Sequence, residues 1–211
     1  MNNILITGGG GGLGSAFKKK LNNSQFKIFT HSCYSESDIK ADFTQEKDIK
    51  KVRKFILDNK INYLINNAGL YSNKTIENIS VKEINDIIKV NLLTPIILSK
   101  YIYESVKQNK TNGLIVNINS LAGKYPSYVE SVYCASKFGL TGFGSCLSIN
   151  QKKSNVKIID CHIGAMKTKM TSDRENKDSL MDPEEVANFI IDILTSKTQY
   201  TLSSFELRNS K

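Results

Sequence analysis

The sequence predicts an α/β fold: a doubly wound parallel sheet of about seven strands with helices on both faces, spanning residues 1–211 as a single domain. Three observations point there. Short apolar runs alternate with helical patterns along the whole chain. Those runs are apolar at successive positions, as strands are when both faces of a sheet are covered. The first run also passes directly into five consecutive glycines, Gly8–Gly12, ahead of a helical stretch from Ser15. No repeat, low-complexity tract or Pro/Ser-rich linker divides the chain.

The elements follow in order. Ile4–Ile6 and Phe26–Phe29 read as the first two strands. Only the seven residues Ser32–Asp38 link the second strand to its expected parallel neighbour, where a crossover usually takes about a dozen. The connecting helix must be lost or reduced to a turn. Ile49, Val52, Phe55 and Ile56 share one helix face, and the basic stretch Lys50–Lys54 faces mostly outward. Tyr63–Ile65 is the next strand. Ser80-x-x-Glu83 forms a capping box ahead of Ile84, Ile87 and Ile88. Leu114–Ile118 and Val156–Ile159 are strands, and Asp182-Pro183-Glu184-Glu185 starts a helix carrying Val186, Ile190, Ile193 and Leu194 on one face. Phe205–Arg208 is the last strand. Ligands of such sheets bind at the carboxyl ends of the strands.

Composition bounds the partners. The net charge is +9, carried almost wholly by lysine, since Arg53, Arg174 and Arg208 are the only arginines. That charge suits an anionic partner, yet no zinc-finger or RNA-recognition signature accompanies it, so nucleic acid is not expected. No run of about 18 apolar residues exists to span a membrane. The N-terminus lacks a basic region followed by a long apolar stretch, which points to a cytoplasmic protein. Cys33, Cys134, Cys146 and Cys161 form no C-x-x-C pair and only His31 and His162 are histidines, so no metal site is expected.

A glycine-rich turn between a strand and a helix lets backbone N–H groups approach a pyrophosphate at the helix N-terminus. Gly9-x-Gly11-x-x-Gly14 fits one dinucleotide spacing, and Thr7-Gly8-x-x-x-Gly12-x-Gly14 fits another. Further along stand Asn66-Asn67-Ala68-Gly69, a strand ending at Ser120, and Tyr133-Cys134-Ala135-Ser136-Lys137. Tyr133 and Lys137 are four apart and share a helix face. A nearby ammonium lowers a phenol's pKa from its usual value near 10, so Tyr133 can serve as acid or base near neutral pH. Ser120 can hydrogen-bond and orient a substrate oxygen. Asn91 sits on the apolar face of its helix, and Pro95 has no N–H with which to bond the Asn91 carbonyl. A kink and a water at that carbonyl are expected.

With these four motifs in this order, the sequence resembles the compact branch of the short-chain dehydrogenase/reductase family. The resemblance implies a Rossmann-type fold and an NAD(P)-dependent hydride transfer between nicotinamide and a carbonyl or hydroxyl carbon. It implies that Tyr133 transfers the proton, that Lys137 lowers its pKa and binds the nicotinamide ribose, and that Ser120 polarises the carbonyl. Asn91 would hold a relay water. Gly8, Gly12, Leu13, Gly14, Ser32, Asp42, Asn67, Ala68, Gly69, Tyr133, Lys137 and Thr168 would contact the cofactor. Asp42 reads either as the adenine-side acid or as a helix cap. The substrate would be a small carbonyl or alcohol, free or carrier-bound, as in a 3-oxoacyl reductase. A homodimer or homotetramer through the helices bearing Asn91 and Tyr133 is implied, with Gly139, Gly142 and Gly144 allowing close packing. A non-catalytic dinucleotide-binding protein on the same fold is the alternative.

Two departures from the family pattern stand out. The second strand ends in Thr30-His31-Ser32, without the acid that binds a ribose 2′-hydroxyl, so the cofactor leans toward NADP(H) over NAD(H). After the sixth strand the family's Pro-Gly reads Ile163-Gly164. The substrate loop is expected between Thr168 and Met181, with Lys169, Asp173, Arg174, Glu175 and Lys177, and Tyr71, Leu121, Tyr125 and Tyr128 complete the pocket wall.

Overall fold

The computed structural model describes residues 1–21, 26–173, 178–196 and 201–209. Seven strands form one parallel sheet: β1 (Asn2–Thr7), β2 (Phe26–Ser32), β3 (Ile39–Lys40), β4 (Tyr63–Asn66), β5 (Gly113–Ser120), β6 (Val156–Ile163) and β7 (Ser204–Leu207). Their order across the sheet is β3-β2-β1-β4-β5-β6-β7, so the chain reverses direction between β1 and β4. A crevice opens at such a reversal, outside the carboxyl ends of the strands.

Helices α1 (Gly12–Leu21) and α6 (Pro183–Thr195) cover one face, where Ile4, Ile6, Ile65, Val116 and Cys161 meet Phe17, Val186 and Ile190. On the other face, Leu5, Leu64, Ile115 and Ile158 pack against α2 (Glu46–Asp58) and α4 (Thr94–Asn109). Helix α3 (Val81–Ile88) begins with the expected capping box: Ser80 Oγ accepts from Glu83 N–H at 3.2 Å and Glu83 Oε2 accepts from Ser80 N–H at 3.2 Å. Asp182 caps α6 through the Glu184 N–H at 2.8 Å, with Pro183 in the first turn. Among the described residues no helix is long and apolar enough to cross a membrane.

Strands β2, β5 and β6 run beyond their apolar stretches. They end in buried polar residues: Thr30, His31 and Ser32, then Asn117 and Asn119, then Asp160 and His162. Each is extended because its backbone stays in the ladder, as in Asn117↔Asp160 and Asn119↔His162. Ile163, standing where the family has proline, likewise pairs with Ser120 and Leu207 and closes the strand. The short β2–β3 link contains no helix, as its length required. It is held by Asp38, whose Oδ2 accepts from both the Thr30 N–H and the Thr30 hydroxyl at 2.8 Å.

Helix α5 (Ser131–Ile149) lies over the polar ends of β5 and β6. Asn66 donates to Asn117 at 2.9 Å and Asn117 donates to Asp160 at 2.8 Å, so one polar row crosses three strands beneath the helix. Gly144 makes room for it, since a Cβ there would stand 2.0 Å from Asp160 Oδ2. Gly139 similarly admits Leu92. The expectation that Gly139, Gly142 and Gly144 all serve packing between subunits is therefore corrected. Two of the three serve packing within the chain, and Gly142 alone of them has open space before it.

Burial raises the Asp160 carboxyl to about 6, against the opposing Asn117 bond and the Lys124 charge. A folded-state value above the unfolded one gives stability that is full at low pH and lost as pH rises through about 6. At neutral pH the fold thus carries the cost of a buried charge. Asp160→Asn should raise stability at neutral pH by about 1–3 kcal/mol. Denaturant unfolding as a function of pH checks this: the advantage should shrink toward zero as the pH falls below roughly 4.

Candidate active site

The glycine turn sits at the carboxyl end of β1, in the crevice between β1 and β4. Gly8 and Gly12 have φ values of +67° and +52°, the left-handed region that glycine reaches without strain. Helix α1 approaches β1 so closely that a Cβ on Gly14 would stand 2.1 Å from the Gly8 carbonyl oxygen. Gly11 faces open space. The Leu13 side chain is buried in the core, which leaves its backbone to face a ligand.

The Asn67-Ala68-Gly69 segment is tied to this turn. Thr7 Oγ1 accepts from the N–H groups of Asn67 and Ala68 at 2.9 and 3.0 Å. Asn67 Nδ2 donates to the carbonyls of Thr7 and Gly8 at 2.8 and 3.1 Å. Thr168 closes the far side, its methyl 3.1 Å from where a Gly12 Cβ would be.

Ser120, the last residue of β5, meets Tyr133 and Lys137 of α5. The Ser120 hydroxyl, which accepts from the Ala122 N–H at 3.1 Å, lies beside the Tyr133 phenol and lowers its pKa. Lys137 is buried, and its ammonium donates to the Ile118 carbonyl at 2.9 Å while lying 5.7 Å from the centre of the Tyr133 ring. Burial lowers the Lys137 pKa to about 8. Burial also pushes the Tyr133 phenol up to about 12, against the opposing effect of Ser120, with Glu130 and Tyr71 raising it further. In the protein alone, desolvation dominates the phenol and holds it above its usual value.

Asn91 lies in a π-helical turn, Lys89–Leu93, between α3 and α4, where the Thr94 N–H bonds the Lys89 carbonyl five residues back. The helix is thus irregular at Asn91, as Pro95 required. The Asn91 side chain is also fully engaged: Oδ1 accepts from Leu70 N–H at 2.8 Å, and Nδ2 donates to the Leu70 carbonyl at 2.8 Å and to Ser136 Oγ at 3.2 Å. It staples the segment after Gly69 to α5.

Toward β2 and β3 the expected contacts are rearranged. Ser32 is buried, and its hydroxyl accepts from Tyr34 N–H, Ser35 N–H and Ser35 Oγ, which commits it to the following turn. Asp42 Oδ1 accepts from the N–H and hydroxyl of Thr44 at 2.9 and 2.8 Å. Asp42 is not the cap of α2, since that position belongs to Gln45.

On the substrate side, Tyr71 packs edge-on against Tyr133 with ring centres 5.1 Å apart, and its hydroxyl donates to Glu130 at 2.7 Å. Tyr125 reaches Glu206 at 3.3 Å, and Lys124 and Arg208 pair with the same carboxylate at 3.0 and 2.6 Å. A bridge between Met166 and Met181 closes the base of the 168–181 loop. Arg174, Glu175 and Lys177 lie outside the described residues.

A family model described as short chain dehydrogenase matches residues 2–179. The chain belongs to the short-chain dehydrogenase family. Carbonyl reductase family member 4 of Xenopus tropicalis is 30% identical over 214 residues, with 90% of each chain covered. A 3-oxoacyl-[acyl-carrier-protein] reductase of Buchnera aphidicola is 27% identical over 189 residues, covering 82% of this chain and 77% of the other. Two solved structures share the fold. A 4-hydroxyisoleucine dehydrogenase complexed with NADH has a TM-score of 0.89 at 22% identity, covering 99% of this chain and 98% of its own. An alcohol dehydrogenase from the archaeon Thermococcus sibiricus complexed with 5-hydroxy-NADP has a TM-score of 0.86 at 19% identity, covering 100% and 97%.

Within this family member, two features escaped the sequence. One is the Tyr71–Glu130 pair beside Tyr133, formed by residues 59 positions apart. The other is His31, which turns inward under the glycine turn. Neither carries a local pattern that could have flagged it.

The turn's geometry sorts its glycines. Gly14→Ala should cost about 3 kcal/mol, because backbone must move to admit the methyl. Gly11→Ala should stay within about 0.5 kcal/mol of the unsubstituted protein. Chemical denaturation of the two variants checks the contrast.

Proposed function

We propose that the protein is an NAD(P)-dependent oxidoreductase that interconverts a carbonyl and an alcohol on a small substrate. The observation that carries this is the meeting of Ser120, Tyr133 and Lys137 beside an open glycine turn at the carboxyl ends of the strands. Support also comes from relatives named as carbonyl and 3-oxoacyl reductases and from structural neighbours complexed with NADH and 5-hydroxy-NADP. The chain fits a dinucleotide. The left-handed Gly8 and Gly12, the close α1 approach at Gly14 and the open space before Gly11 make a cradle that side chains would fill. Gly8, Gly12, the Leu13 backbone, Gly14, Asn67–Gly69, Asp42, Lys137 and Thr168 would hold it. Ser32 belongs to that set through its backbone, since its hydroxyl is engaged. When bound, the nicotinamide supplies or accepts a hydride.

The chain's own residues then do the following. Ser120 orients the substrate oxygen with a hydrogen bond. Tyr133 gives that oxygen its proton in the reductive direction and takes it back in the oxidative one. Lys137, fixed by Ile118, keeps a positive charge beside the phenol, which favours the phenolate left after proton delivery. The Asn91 carbonyl, in its π-helical turn, is the proposed end of the proton path to water. The ring of Tyr71, edge-on to Tyr133, supports an uncharged carbonyl compound.

The lean toward NADP(H) rests on the missing acid at the end of β2, where His31 and Ser32 stand. Comparing kcat/KM with NADH and NADPH decides it. A carrier-bound 3-oxoacyl substrate is the second reading, favoured by the Buchnera relative. A basic groove at the other end of the sheet does not serve it. That cavity of about 1190 Å³, lined by Lys50, Arg53, Lys100, Lys107 and Lys110, also touches Thr111 and Asn155, next to the starts of β5 and β6 and opposite the site. We also propose a homodimer or homotetramer formed through α4 and α5, supported by the exposed Leu93, Phe138 and Ile149, and a cytoplasmic location, supported by four free cysteines.

Tyr133→Phe tests the enzymatic reading. It should lower kcat at least about 100-fold while leaving NAD(P)H affinity within about twofold. Assays on a carbonyl panel, paired with cofactor titration, measure both. A wild-type protein that binds the dinucleotide but turns over no carbonyl or alcohol would favour the regulatory alternative.

A further inference from the structure

We propose that His31 is a positioning residue for the dinucleotide: it holds the start of the glycine turn in its binding shape. The inference rests on the cofactor reading above. His31 stands at the carboxyl end of β2, yet its side chain turns into the protein and is buried. Nε2 lies 2.9 Å from the Ala41 carbonyl oxygen, so this nitrogen carries the proton. Nδ1 is then the acceptor, and the Gly8 N–H donates to it at 3.3 Å. The ring stacks on Phe43, with centres 3.9 Å apart and planes 11° off parallel. The His31 backbone carbonyl accepts from the next N–H of the turn, Gly9, at 2.8 Å.

One residue therefore holds two successive N–H groups of the turn. This matters because five consecutive glycines lose more backbone freedom on ordering than any other five residues. Asn67 fixes the Thr7 and Gly8 carbonyls from the β4 side. His31 fixes the Gly8 N–H from the β2 side, at the residue where the chain enters the left-handed region. Its second bond goes to Ala41, the neighbour of Asp42, so a single imidazole joins the turn to the segment proposed for the adenine side. Burial keeps the ring neutral at physiological pH, with the pKa lowered to about 4 against the Ala41 bond and the Asp48 charge. The acceptor at Nδ1 thus persists.

Two variants of similar size separate positioning from mere packing. Both lose the ring stack on Phe43. His31→Asn keeps an acceptor near the place of Nδ1 and loses the donor to Ala41. His31→Gln reaches the place of Nε2, keeps the donor to Ala41 and loses the acceptor for Gly8. The measurements are NAD(P)H dissociation constants from nicotinamide fluorescence, thermal midpoints, and amide hydrogen exchange at Gly8–Gly12 in the ligand-free protein. The two midpoints should fall together. The His31→Gln protein should bind about five- to tenfold more weakly than His31→Asn, with faster exchange at Gly8, and its loss should fall on KM for the dinucleotide more than on kcat. Equal affinity and equal exchange in the two variants overturn the proposal. A wild-type protein that binds neither dinucleotide overturns the cofactor reading, and the claim on affinity with it. The exchange contrast, read without ligand, then still decides whether His31 holds the turn.

Discussion

Helix α5 meets the sheet through hydrogen bonds at the end where the site lies, and the placement of Tyr133 and Lys137 depends on that contact. Asn119 donates to Thr141 at 2.9 Å, Lys137 donates to the Ile118 carbonyl at 2.9 Å, and Asp160 sits in the gap left by Gly144. An apolar interface would tolerate sliding of the helix along the strands. Directional bonds to particular strand residues do not, and they fix the register of Tyr133 against Ser120. The arrangement costs stability, because burial opposes the charge on both Lys137 and Asp160. A site that must hold an ammonium beside a phenol accepts that cost.

The glycine turn poses the converse problem. It needs glycine for its left-handed residues and for the closeness of α1, and so it lacks side chains of its own to hold it in shape. The neighbours supply the restraint. Asn67, just past β4 and tied to Thr7 of β1, fixes it from one side, and His31 fixes it from β2. The two halves of the site are then joined by Asn91, whose side chain links the segment after Gly69 to Ser136 of α5. Much of the polar content at the strand ends thus serves to position groups rather than to touch a ligand.

Much of the architecture was legible because parallel strands buried on both faces announce themselves as apolar runs. Ile4–Ile6, Tyr63–Ile65 and Leu114–Ile118 all fall within observed strands. The capping signals at Ser80 and Asp182 were local and held. The Val156–Ile159 run stopped short of the end of β6, where apolar residues give way to Asp160 and His162, since their burial is decided by tertiary packing and not by their own polarity. β3 has two residues and no pattern to read. Pro95 foretold an irregular helix at Asn91, because a missing N–H is written in the sequence itself. His31 gave no such sign. A lone histidine becomes a restraint only when folding brings Gly8 and Ala41 to its two nitrogens. Gly139 and Gly144 misled for the same reason, as their partners Leu92 and Asp160 are set by tertiary packing.

In the proposed reaction, Ser120, Tyr133 and Lys137 move a proton in step with a hydride. The most direct test supplies a dinucleotide deuterated at nicotinamide C4, together with a panel of small ketones and aldehydes, and follows the label by mass spectrometry. The alcohol product should carry deuterium on the former carbonyl carbon, from one face of the nicotinamide only. Tight binding of the dinucleotide with no deuterium transferred to any carbonyl would contradict it.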